Sequence, residues 1–242
     1  MDATHIVKIV DLTAGYGTSP VLRGLNLSLR KGETCCVIGE EGSGKSTLLK
    51  AITRQINSSG TIAYGGIDLY SVSTTNITRY GVDYIAQGGS ILKGFTVEEH
   101  IQLALANRGH EGRDKVWGEI EKTFPKLVAL KRQVAGRLSG GERMMLSIAC
   151  LIATDADFLI LDEPTAGLAP ETCEAIKGFL LRMKLELGKT ILLLEHNYEF
   201  AFEVADSVVT LREGRLSEKF FSDDFTQTEF IDTRLYSVVT SP

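Results

Sequence analysis

The stretch "TCCVIGEEGSGKSTLLKAI", from Thr34 to Ile52, constrains the fold more than any other part of the chain. Residues 34–38 are nearly all apolar, as in a strand covered on both faces, and a glycine-rich turn leads from them directly into a helical pattern. Gly39, Gly44, Lys45 and Ser46 match GxxxxGK[ST], and Thr47 extends the match. In such a loop backbone N–H groups wrap nucleotide phosphates, the lysine reaches the outer phosphates and the hydroxyl ligates Mg²⁺. A buried strand before it and a helix after it are the context the motif requires. Glu40 and Glu41 stand at its wildcard positions, where outward-pointing carboxylates add a screened repulsion that weakens nucleotide affinity modestly.

Around this unit the periodicity changes twice. Leu25, Leu27 and Leu29 alternate with polar residues, as in a half-buried antiparallel strand, and short strands are expected at "GTIAY" and "VDYIAQ". Helical patterns follow: Thr96 and Glu99 are spaced as a capping box for "TVEEHIQLALANR", and "RDKVWGEIEKTF" continues, with Gly109, Gly112 and Pro125 as breaks. This predicts a helical insert at about residues 87–151. Then come "DFLILDE", a helix over residues 170–187 ended by Gly188, "TILLLEH", a helix around residues 198–205, and "SVVTLREGRLSE" with a tight "REGR" hairpin. Such alternation means a parallel sheet covered by helices. The expected fold is α/β: a P-loop NTPase core with a mostly parallel sheet, an N-terminal antiparallel β subdomain and an inserted α-helical subdomain, with the core in residues 1–86 and 152–242.

Composition narrows the function classes. Hydrophobic residues at 43% and charged residues at 24% of 242 are ordinary for a globular domain. A net charge of -5 without a basic block gives no electrostatic footprint for nucleic acid. Cys35, Cys36, Cys150 and Cys173 lack paired metal spacing and fit a reducing cytosol. The N-terminus carries no secretion-signal pattern, and the longest nearly apolar window, residues 144–153, is far short of the roughly 20 needed to span a bilayer. Any membrane role must run through a partner.

Two further strand ends carry chemistry. "FLILDEP" places Asp162 and Glu163 at the end of an apolar strand, where α/β sheets bind ligands; Asp162 is the expected Mg²⁺ partner and Glu163 is free to orient or deprotonate a water. "TILLLEH" ends with His196 in a matching place, where an imidazole contacts a γ-phosphate; His5, His100 and His110 read as surface or packing residues. Tyr16, in "GYG", offers a ring for stacking on a purine, and the lack of an NKxD sequence favours ATP over GTP. "LSGGE" adds a second glycine-rich helix start: Ser139 and Glu142 are spaced as a capping box, and Gly140 and Gly141 leave N–H groups bare for an anion.

Together these motifs resemble the ATPase subunits of ABC transporters, over nearly the whole chain. The resemblance implies that Tyr16 stacks on adenine and that Gly39, Gly42, Ser43, Gly44, Lys45, Ser46 and Thr47 hold the phosphates. Gln87 becomes the Q-loop glutamine, a Mg²⁺ ligand together with Ser46 and Asp162, and Glu163, His196, Gln87 and Lys45 carry catalysis. Ser139, Gly140, Gly141 and Glu142 become the signature that closes over ATP held by a second, head-to-tail subunit, a copy or a paralogue. "EPTAGLAPE", "GFTVEEHI" and the short C-terminus are most similar to the subgroup driving uptake of branched-chain amino acids, amides or urea. That implies transmembrane permease partners, a solute-binding protein acting through them, and a place on the cytoplasmic face of the cell membrane. Arg143, Cys150 and Ala169 depart from common family choices. The rival expectation is an ABC-type ATPase outside transport.

Overall fold

The computed structural model describes residues 5–106 and 113–221, so Gly109, His110 and Gly112 lie outside the described residues. In chain order the main elements are β1 (His5–Tyr16), β2 (Ser19–Arg30), β3 (Thr34–Ile38), α1 (Lys45–Ile52), β4 (Ser58–Tyr64), β5 (Ile67–Asp68) and β6 (Val82–Ile85). Helices α2 (Val97–Leu105), α3 (Arg113–Thr123), α4 (Pro125–Ala129) and α5 (Gly140–Thr154) follow. The rest alternates: β7 (Phe158–Asp162), α6 (Pro170–Leu185), β8 (Thr190–Glu195), α7 (Tyr198–Val204), β9 (Ser207–Arg212), β10 (Arg215–Leu216) and β11 (Phe220–Phe221).

Two sheets result. One is antiparallel, in the order β2-β1-β4-β5; the other runs β10-β9-β3-β8-β7-β6, with β11 added on β9. β6, β7, β8, β3 and β9 are mutually parallel, and β10 and β11 pair antiparallel with β9. Every residue of β3, β7 and β8 is buried. Successive side chains go to opposite faces of a strand, which separates adjacent residues into two cores. Cys36, Leu159, Leu161, Ile191 and Leu193 pack with the helices. Cys35, Ile160, Leu192 and Leu194 pack toward α1 and the antiparallel sheet.

Register then decides what meets at the sheet's carboxyl edge. Ile38 pairs with Glu195, Asp162 with Leu194, and Ile85 with Leu161. The chain leaves four neighbouring strands there, carrying Gly39, Gln87, Glu163 and His196 to one place. Both expected capping boxes form, at Thr96/Glu99 on α2 and at Ser139/Glu142 on α5. α6 ends at Leu185, two residues before the expected end, and Gly188, with φ +61, turns the chain into β8. Among the described residues no helix is long and apolar enough to cross a membrane.

Candidate nucleotide site

The phosphate loop is shaped by close approaches that exclude side chains. A Cβ at Gly39 would stand 2.4 Å from Ser43 Oγ and 2.8 Å from the Leu211 carbonyl oxygen. Gly44, the residue before α1, has φ +112, a conformation that glycine alone adopts at little cost. No side chain caps α1 and its first turn holds no acidic residue. Its N-terminal N–H groups and positive dipole end are therefore available to an anion. Glu40 and Glu41 are exposed, as outward-directed residues must be.

Lys45 is buried at 4% exposure, and its ammonium meets three acceptors. Nζ donates to the Gly39 carbonyl at 2.7 Å and the Glu40 carbonyl at 2.9 Å, and stands 3.0 Å from Glu163 Oε1. An ammonium has three N–H donors, so all are in use. Glu163 is expected to orient or deprotonate a water, and here both its oxygens are engaged: Lys45 holds one, and Gln87 Nε2 donates to the other at 2.8 Å. His196 Nδ1 lies 3.7 Å from Glu163 Oε1, with its side chain half exposed. Glu163 itself sits at φ +48, in the left-handed region, its N–H bonded to the Leu194 carbonyl at 2.8 Å. Backbone strain of this kind concentrates where the surrounding structure must aim a side chain.

Asp162 is 2% exposed, and its Oδ1 has no hydrogen-bond partner. Burial pushes its carboxyl above the usual carboxylate range; the Ser46 hydroxyl and the Lys45 ammonium oppose the rise, and the charges of Glu163 and Glu195 add to it. An orphaned buried carboxylate oxygen with a serine hydroxyl on the same group fits a hard divalent cation. Among the described residues no group of three His, Cys, Asp or Glu side chains suits a metal.

The remaining expected residues lie apart from this junction. Tyr16 is half exposed beside α1, with Lys50 Nζ 5.5 Å from its ring centre and 3.3 Å from its hydroxyl. In the signature, Ser139 Oγ accepts the Glu142 N–H at 3.2 Å, and Glu142 Oε2 accepts the Ser139 N–H at 2.8 Å. Among the described residues no hydrogen bond or ion pair joins residues 139–142 to residues 39–47 or to Glu163. His100 is a packing residue: its Nε2 accepts the Leu92 N–H at 2.9 Å and its Nδ1 lies 2.7 Å from the Thr96 carbonyl.

Sequence reasoning missed Glu195, a fully buried carboxylate next to His196, although a charge closing an otherwise apolar run was the signal available for it. It also missed Lys50 as the partner of Tyr16, a pairing that only the packing of α1 against β1 reveals.

Known proteins are similar to this chain in sequence and in fold. Residues 22–166 match the family model described as ABC transporter. The chain is 33% identical to a probable branched-chain amino acid transport ATP-binding protein of Archaeoglobus fulgidus, over 97% of this chain and all of the relative. It is 32% identical to a methionine import ATP-binding protein of Mesorhizobium japonicum, over 88% of this chain and 60% of the relative. A solved ATP-binding subunit of an ABC transporter superimposes with a TM-score of 0.81 at 26% identity, covering 98% of this chain and 95% of that one. The chain belongs to the ABC transporter family, as one of its ATP-binding, ATP-hydrolysing subunits.

Proposed function

We propose that the chain pairs head to tail with a second cassette, a copy of itself or a sister subunit, around two Mg·ATP. The pair powers uptake of branched-chain amino acids through transmembrane permease subunits, on the cytoplasmic face of the cell membrane, with a solute-binding protein delivering the solute. The full-length match to the Archaeoglobus fulgidus relative supports this solute class.

The observation that carries the hydrolytic reading is the junction at Glu163, where Lys45, Gln87 and His196 converge on one carboxylate. A γ-phosphate that enters the loop competes with Glu163 for Lys45, because the ammonium has no donor to spare. Once released, Glu163 takes a proton from the attacking water, while Gln87 and His196 orient that water and the γ-phosphate. Ser46, Asp162 and Gln87 would hold Mg²⁺, which when bound neutralises charge developing on the phosphate oxygens. Residues 39–47 hold the nucleotide from this chain, Tyr16 stacks on its adenine, and residues 139–142 of the second cassette close over it.

Purification of a tagged chain from membranes in mild detergent tests the transport assignment. Stoichiometric co-purification of multi-span membrane subunits is expected, and recovery with soluble partners alone would contradict it. Glu163→Gln is expected to keep ATP binding, to lose turnover by roughly 10²- to 10⁴-fold, and to accumulate as an ATP-bound dimer.

A further inference from the structure

Glu195 closes β8 and is fully buried. A carboxylate held away from water persists only where donors meet both oxygens. Four do so. Oε1 accepts the Thr165 hydroxyl at 2.7 Å and the Thr165 N–H at 3.3 Å. Oε2 accepts the His196 N–H at 3.1 Å and the Asn197 N–H at 3.3 Å. The two oxygens therefore grip two different loops. Thr165 opens the turn after β7, in which its carbonyl accepts the Leu168 N–H at 3.2 Å and Gly167 sits at φ +68. His196 and Asn197 form the turn into α7, where Asn197 caps the helix. Glu163 lies between them: its carbonyl accepts the Ala166 N–H at 3.2 Å from the first turn, and its side chain faces His196 from the second.

We propose that Glu195 is a positioning residue for ATP hydrolysis, its carboxylate locking the 165–168 turn to the His196 turn so that His196 and Glu163 keep their mutual aim. Glu195 makes no hydrogen bond to the Glu163 side chain and acts through Thr165 and His196. The residue type follows from the donor count. Among the described residues the side chain takes part in four hydrogen bonds and accepts in all of them, so an amide at this position would turn its NH₂ against the donors of one loop and release that loop. Among the described residues the hydroxyl of Thr165 makes the one side-chain hydrogen bond to Glu195, with His196 Nδ1 farther away at 3.9 Å from Oε2, and it can be removed without touching the backbone arms.

The inference rests on the ATPase reading above, and the test separates the two. Steady-state ATPase rates, ATP KM, the Kd for a fluorescent ATP analogue and the thermal midpoint are measured for wild type, Glu195→Gln, Thr165→Val and Thr165→Ser. The expected result is kcat lowered about 10- to 100-fold in Glu195→Gln and Thr165→Val, as for misaligned reacting groups, with KM and Kd within about twofold of wild type. Thr165→Ser, which keeps the hydroxyl, returns kcat to near wild type. Where Glu195→Gln fails to fold, the two Thr165 variants carry the test. An active wild type with Thr165→Val at the same rate would overturn the inference alone, as would loss of binding and turnover together without rescue by serine. A wild-type chain with no ATPase activity would overturn the reading of the site, and this inference with it.

Discussion

α1 starts behind Gly44 with no side-chain cap and no acidic residue in its first turn, whereas α5 starts behind Ser139 with both arms of a capping box closed and Glu142 in its first turn. α1 follows a glycine-rich turn, α5 has Gly140 and Gly141 as its first two residues, and at both starts backbone N–H groups lie open to an anion. Among the described residues no side chain caps the first helix start, and its loop is completed by a lysine already buried in it. The second is largely self-sufficient, retains only the N–H groups of Gly140 and Gly141 for an outside ligand, and carries a carboxylate that opposes one. A phosphate site built for affinity resembles the first; a site that adds a small increment to a ligand already held elsewhere resembles the second. That division fits a nucleotide bound by one chain and recognised by another.

The largest effect expected from this contrast is at Lys45. Lys45→Ala removes a charge-assisted donor from the strong site, and the ATPase rate is expected to fall about 10²- to 10³-fold, with ATP binding weakened in parallel. A variant that bound ATP like wild type would show that the α1 loop does not carry the affinity. Ser139→Ala should act more weakly and differently. Loss of an N-cap costs about 1 kcal/mol of stability, so the thermal midpoint falls by a few degrees. ATP affinity of the isolated chain should stay within about twofold, a range of about 0.4 kcal/mol, and a larger loss would mean that the α5 loop touches nucleotide within its own chain. Glu40→Gln/Glu41→Gln should have the smallest effect. Because both carboxylates are exposed, their removal should tighten ATP binding by no more than a few-fold and the gain should shrink in high salt. An unchanged dissociation constant at low salt would remove these residues from the account.

The same contrast separates what the sequence displays from what it conceals. The phosphate loop, both capping boxes and the Asp162–Glu163 strand end are local patterns, set within a few residues by helix and strand periodicity and by glycine chemistry. The contacts that make a site of them are not local. Lys45 reaches Glu163 and Gln87 reaches Glu163 only because β6, β7, β8 and β3 lie side by side in one register. Glu195 and Thr165 are 30 residues apart and meet through the same order. No spacing rule announces that a glutamate will be fully buried with four donors around it. The end of α6 was misplaced for a related reason, since Leu187 continues the apolar pattern beyond the point where the chain has already begun to turn toward Gly188.

Cross-linking measures whether residues 39–47 and residues 139–142 serve nucleotides of different chains. A chain carrying Glu41→Cys, Ser139→Cys and Glu163→Gln places one thiol in each loop while blocking turnover. With Mg·ATP and a short thiol cross-linker, a product of twice the chain mass is expected, and it should disappear when ATP is withheld. A cross-link confined to single chains, with the same yield with and without ATP, would contradict it.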